Sequence, residues 1–165
     1  MNPKVLLFCL LVAPYALFAQ ITVDGYFDPE RDALGKVDST GRMSLIVPEA
    51  VVIQSLKASM PDIGQVFSVS LQPLRNGPHL VFKCRSLSTP EVSMFVAVAI
   101  RQETDGRCYA EKQYQTCKGE PCSDCGFSAA GCFCAAQPGP DPAEMGTCNH
   151  SVSTGSALKK VKLEI

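Results

Sequence analysis

The chain has 165 residues, 46% of them hydrophobic, nine cysteines and a formal net charge of −1. So small a charge gives no electrostatic case for nucleic acid or for an anionic membrane surface. A chain of this length buries roughly 68–70% of its unfolded surface, so a real core is within reach and cross-links need only brace part of it.

Residues 1–19 have the pattern of a secretory signal peptide. Lys4 supplies a short positive region, Val5 to Phe18 an apolar stretch interrupted by Pro14, and Ala19 a small residue at the cleavage position. The apolar run is shorter than the ~20 residues that a membrane-spanning helix needs, and no membrane anchor is expected after cleavage. Removing the peptide takes Cys9 and Lys4 with it. One domain remains, residues 20–165, with a formal charge of −2 and eight cysteines. The expected location is secreted or periplasmic, an oxidising space in which an even cysteine count suits full pairing.

Ile21 to Phe27 reads as a short strand interrupted by Gly25, and Asp28 to Arg42 as a solvated loop. That loop carries Asp28, Glu30, Asp32 and Asp38, but Gly35 comes too late for a calcium loop and no Glu closes it. Met43 to Val47 is a strand candidate. Pro48 and Glu49 then suit a helix start, with Val52, Leu56 and Met60 at helical spacing and Pro61 as the stop. The β-branched residues leave a strand from Met43 to Ile53 as the alternative.

Gln65 to Leu71 alternates as a half-buried strand, and Asn76-Gly77 signals a hairpin returning through Leu80 to Cys84. Glu91 to Gln102 is the most hydrophobic run after the leader and is expected to be the central strand, with Phe95, Val96, Val98 and Ile100 buried. Thr104-Asp105-Gly106 turns the chain into a strand from Arg107 to Gln115. Ala157 to Ile165 looks like a closing strand at an edge guarded by lysines. The expected class is α+β: a mostly antiparallel sheet of about five to six strands, one helix and a C-terminal cysteine-rich irregular loop.

That insertion, residues 117–150, is rich in Gly, Pro, Ser and Ala, which favour turns. It has few large apolar residues, so its cysteines must hold it. Pairing of all eight, Cys84, Cys108, Cys117, Cys122, Cys125, Cys132, Cys134 and Cys148, is the leading expectation. Eight cysteines allow 105 connectivities, and the sequence does not choose among them. Cys132 and Cys134 point the same way on an extended chain, which sends each to a different partner. The alternative is a metal site: Cys122, Cys125, Cys132 and Cys134 form a tetrahedral thiolate set, with His150 as a substitute ligand.

The spacing Cys117-x4-Cys122-x2-Cys125, with Cys148 downstream, resembles the cluster loop of plant-type ferredoxins. The resemblance implies an iron–sulfur centre on those four cysteines and covers only this loop. Glu120 stands where that family has Gly or Ala.

Catalytic patterns are few. Cys122-Ser123-Asp124-Cys125 has the C-x-x-C spacing of a thiol oxidoreductase but no helical pattern behind it. Gly126 to Ala130 lacks the second Gly of a nucleophile elbow. His79 is expected as an exposed turn residue and His150 as a cap on the cysteine-rich segment. Asn149-His150-Ser151 is a formal glycosylation sequon, and the leader resembles Gram-negative ones, so no glycan is expected. The function that fits is an exported, disulfide-stabilised binding or structural module without a cofactor, its partner an extracellular or periplasmic ligand or protein. A secreted hydrolase, a thiol oxidoreductase, and a zinc or iron–sulfur protein are the competing classes.

Overall fold

A computed structural model describes residues 25–120, 122, 125–128, 131–134 and 146–163. Residues 1–19, expected as a signal peptide, and Ile21 to Asp24 of the first strand candidate lie outside them. The elements are β1 (Tyr26–Phe27), β2 (Gly35–Val37), β3 (Met43–Leu45), α1 (Glu49–Ser59), β4 (Ile63–Leu74), β5 (Gly77–Ser86), β6 (Ser93–Gln102), β7 (Arg107–Glu120), β8 (Cys125–Ser128), β9 (Gly131–Cys134), β10 (Thr147–Thr154) and β11 (Val161–Lys162). The protein is α+β with a mostly antiparallel sheet.

Seven strands form the main sheet, in the order β3-β2-β7-β6-β5-β4, with β10 also paired to β7. All these pairings are antiparallel. β7 is long enough to serve two partners on one side. Its start pairs with β2 and its later part, from Gln113 to Glu120, pairs with β10. The sheet curls until β3 touches β4. Gly35 of β2 makes room for this closure: a Cβ there would lie 2.5 Å from Leu71 Cδ1 of β4 and 2.7 Å from the Ser44 carbonyl oxygen of β3.

β6 lies in the interior of the sheet, as its composition implies. Val96, Val98 and Ile100 face the main core with Leu80, Phe82 and Cys84 of β5. Phe95 is half-buried on the opposite face. Against the core face pack Val52 and Leu56 of α1, both fully buried. Pro48 caps this helix as the residue before it, and the helical reading of this stretch holds over the strand alternative.

Several boundaries differ from the sequence reading. The loop from Asp28 to Arg42 contains β2, whose Gly35-Lys36-Val37 is too short to register as a pattern. β4 does not alternate cleanly. Bulges between Ile63 and Val66 and between Val66 and Ser68 let Val66, Val69 and Leu71 all reach the core while Phe67 turns outward. The β4–β5 turn consists of Arg75 and Asn76, because Leu74 pairs with Gly77, one residue earlier than the Asn-Gly signal suggests.

The C-terminal stretch is not an edge strand of the main sheet. Among its described residues only Val161–Lys162 is a strand, and it pairs with β1 in a separate two-stranded ribbon. Ala157 and Leu158 are buried in the core. The stretch is tied to α1 through Lys159 N–H to Ser55 O (3.2 Å) and Ser55 Oγ to Lys159 O (2.6 Å). The role given to it belongs to β10. Among the described residues no helix is long and apolar enough to cross a membrane.

Two leucines on neighbouring structure separate core from surface. Leu80→Ala, at a fully buried position, is expected to cost about 2–5 kcal/mol in denaturant unfolding. Leu87→Ala, 65% exposed, should change stability by less than about 0.5 kcal/mol. Equal losses at the two sites would show that the inward face of β5 is misassigned.

Candidate functional site

The cysteine-rich segment is more regular than its composition suggests. β7 runs through Cys117 to Glu120, and β8 and β9 form a hairpin pairing Cys125 with Cys134 and Phe127 with Cys132. Directly paired residues share a face, and faces alternate along a strand. So Cys125, Phe127, Cys132 and Cys134 lie on one side of this hairpin. Phe133 lies on the other with Gly126, where a Cβ would meet its ring at 3.3 Å.

The cysteine-bearing side faces the outer face of the main sheet. There Lys83, Phe95, Cys117 and His150 stand in one row across β5, β6, β7 and β10. Phe127 meets Phe95 edge-to-face at 6.5 Å between centroids and His150 at 6.1 Å. Such contacts are worth about 0.5–1.5 kcal/mol beyond area burial. The Cys125 N–H donates to Ser93 Oγ (3.2 Å), which fastens β8 to β6.

Three disulfides close the assembly: Cys117–Cys132, Cys122–Cys134 and Cys125–Cys148, with Cα separations of 5.5–6.0 Å. Cys132 and Cys134 do go to different partners. Cys117, Cys122 and Cys125 are buried and form a second small core with Phe95 and Phe127. Gly119 is what lets the chain fold back so closely. A Cβ on it would fall onto the Cys122 carbonyl oxygen.

The expectation of eight paired cysteines is corrected at two positions. Cys84 and Cys108 are free and buried. Across β6, Cys84 is opposite Met94 and Cys108 opposite Gln102, eight positions along the strand. At about 3.3 Å per residue that is far beyond the span of a disulfide. Both belong to the main core. Burial pushes the Cys84 thiol up to about 12 and raises that of Cys108 as well, so both stay protonated.

The donor chemistry bears on the metal readings. Sulfurs of Cys117, Cys125 and Cys148 lie within 4.8 Å of one another, as do those of Cys122, Cys134 and Cys148. All are cystine sulfurs, and a disulfide sulfur is not the thiolate that zinc or an iron–sulfur cluster binds. The four positions of the ferredoxin-like spacing are likewise all in disulfides. These residues therefore do not fit such a centre while oxidised. The disulfide of Cys122 runs to Cys134, not to Cys125.

The two histidines, far apart in sequence, converge. His79 is 3% exposed, which corrects its reading as an exposed turn residue. β5 carries it onto the outer face opposite Ala99, and β7 carries Gln115 onto the same face opposite Ala97. The two alanines leave room above β6 for the longer side chains to meet. His79 Nδ1 is 2.9 Å from Gly77 O, His79 Nε2 is 3.4 Å from Gln115 Nε2, and Gln115 Oε1 is 2.9 Å from His150 Nε2. A carbonyl oxygen only accepts, which assigns the direction for neutral rings. His150 Nε2–H donates to Gln115, the Gln115 amide donates to His79, and His79 Nδ1–H donates to Gly77.

This chain of bonds ends in a cleft of ≈ 170 Å³. Leu74, Arg75 and Asn76 of the β4–β5 turn form one wall, and Phe127, Ser128 and Gly131 of the cystine hairpin form another. Gln115 and His150 complete it. No carboxylate is among these lining residues. Ser128 Oγ donates to Gly131 O at 3.4 Å. Sequence reasoning missed Gln115 altogether. Its only signal was a polar residue in a strand next to the first cysteine of the cluster. The acidic residues singled out near the start lie elsewhere. Asp38 accepts from Thr40 and Arg42 in its own turn, and these bonds hold its carboxyl below the usual range, the Thr40 hydroxyl contributing most.

No family model matches the chain, no curated protein matches it, and no solved structure matches it.

Alkylation of the unreduced, denatured protein lacking residues 1–19, and with them Cys9, should label two thiols, and the native protein at neutral pH almost none, since burial and a raised pKa both suppress thiolate. The folded pKa of Cys84 exceeds the unfolded one. Stability is therefore full below pH 9.0 and falls as pH rises toward about 12, and Cys84→Ala should remove part of that alkaline loss in urea titrations. Zero or four labelled thiols would contradict the pairing.

Gly119→Ala should block closure of Cys122–Cys134, giving two extra labelled thiols by mass after non-reducing denaturation. A fully oxidised Gly119→Ala protein of wild-type stability would show that the fold-back is looser than described.

Proposed function

We propose that this protein is an exported, disulfide-stabilised, non-enzymatic binding module whose ligand-facing surface is the cleft between the cystine hairpin and the β4–β5 turn. The observation that carries this reading is the way the cleft is made. One wall belongs to a short hairpin held on the sheet by three disulfides, and the cleft's imidazole is fastened to Gln115. Rigid presentation of an irregular polar and aromatic surface lowers the ordering cost of binding. Three disulfides are compatible with an oxidising extracellular space, which supports export together with the leader.

The competing enzyme class needs His150 as a base oriented by an acid, or a reactive thiol. In the cleft His150 is held by a neutral amide, and among the described residues no carboxylate lines the site. Both unpaired thiols among the described residues lie in the main core instead. These features favour binding over turnover.

The test uses protein secreted by an expression host and purified oxidised. It is incubated with low-mass extract of the fluid in which it is found, and retained species are read by native mass spectrometry. A species bound with fixed stoichiometry is expected. It should be lost in Phe127→Ala and on reduction, with the variant's three disulfides confirmed by mass. Retention indifferent to both changes would overturn the reading. So would turnover of an ester, peptide or disulfide substrate that His150→Ala or reduction abolishes.

A further inference from the structure

Arg75 occupies the exposed two-residue turn between β4 and β5 and lines the cleft. An unpaired surface arginine is ordinary, and its surroundings are what distinguish this one. It makes no ion pair among the described residues, whereas Arg101 pairs with Glu103 and Arg107 with Asp105. Among the described residues the lining holds no Asp or Glu to compete for it. Leu74 and Phe127 supply apolar surface beside it. With Nε2 of His150 committed to Gln115, its Nδ1 and the Asn76 amide remain as further polar groups.

Resting on the reading that this cleft faces the ligand, we propose that it binds a small carboxylate with an apolar or aromatic body. A guanidinium matches a carboxylate with two parallel hydrogen bonds, a geometry no ammonium reproduces. Phe127 already meets two rings through its edge-to-face contacts and offers an aromatic body the same interaction type. A cleft of ≈ 170 Å³ is below the roughly 300–1,000 Å³ typical of drug-sized ligands, so the occupant is small. A cationic ligand meets an unopposed guanidinium, and a neutral one brings no opposite charge to it.

The oxidised, isotope-labelled protein is titrated with benzoate, benzylamine and benzyl alcohol, three probes of similar shape and different charge, while the Arg75 and Gln115 side-chain and Phe127 ring signals are followed by NMR. Benzoate should shift these signals saturably and the other two should not. Arg75→Gln, at an exposed turn that spares the fold, should weaken benzoate about tenfold or more, with Arg75→Lys intermediate. Raising the ionic strength should weaken it too. Equal binding of benzylamine or benzyl alcohol, or unchanged affinity in Arg75→Gln, would overturn carboxylate recognition while leaving the cleft as a binding site. No saturable shift with any probe would also overturn it. Retention of an extract species that Phe127→Ala abolishes would then show that only the ligand class was wrong.

Discussion

The two faces of β6 carry side chains of different size, and most of the molecule depends on that difference. Inward, Val96, Val98 and Ile100 are bulky and branched, and the main core closes on them with α1. Outward stand Ser93, Phe95, Ala97 and Ala99. Each of these takes a separate part. Ser93 accepts the backbone N–H that fastens β8. Phe95 receives Phe127. The two alanines give the space in which His79 and Gln115 approach across a strand. Neighbouring strands lie about 4.8 Å apart, so β5 and β7 are roughly twice that distance from each other, a gap two long polar side chains close only over small residues. Larger residues at 97 or 99 would stand between them and leave buried His79 short of a partner.

The disulfides act on this surface and not on the core. A hairpin of two four-residue strands is not stable alone in water. Phe127 gives it one aromatic anchor, and the three disulfides tie it to three places: Cys117 on β7, Cys148 on β10, and Cys122 in the fold-back. Each contributes about 2–4 kcal/mol in the chain-entropy account, mainly by restricting the unfolded segment. The free Cys84 and Cys108 belong to the other side of the division. They behave as small apolar residues of the main core, where packing already suffices.

The sequence revealed what depends on long patterns. β6 was legible because the unbroken apolar run from Met94 to Ile100 leaves few alternatives, and α1 because Pro48, Val52, Leu56 and Pro61 agree on one helix. The alternation of Cys132, Phe133 and Cys134 correctly implied separate partners for the two cysteines. Short elements were hidden. β2 has three residues, and the β4 bulges break the period-two pattern by which inward and outward residues are told apart. β10 was hidden because Thr147 to Thr154 is mostly polar and exposed. It is a strand because β7 extends past the barrel-like curl and offers its backbone there, a tertiary cause that local composition does not carry.

The site was illegible for a similar reason. His79, Gln115 and His150 are separated by about the same number of residues, and register alone decides that they meet. Gln115 lies in the row next to Cys117, and Cys117 shares its row with His150. A two-residue slip along β10 would keep its residues on the same faces yet move His150 to a different row. The Cys125–Cys148 disulfide bears directly on that choice, since it ties β10 at a residue two before His150. The same bond that anchors the hairpin therefore helps set the register that brings His150 to Gln115 and places Phe127 against it. Cystine pairing and cleft geometry are in this sense one constraint, which is why loss of the disulfides should dissolve the cleft before it disturbs the main core.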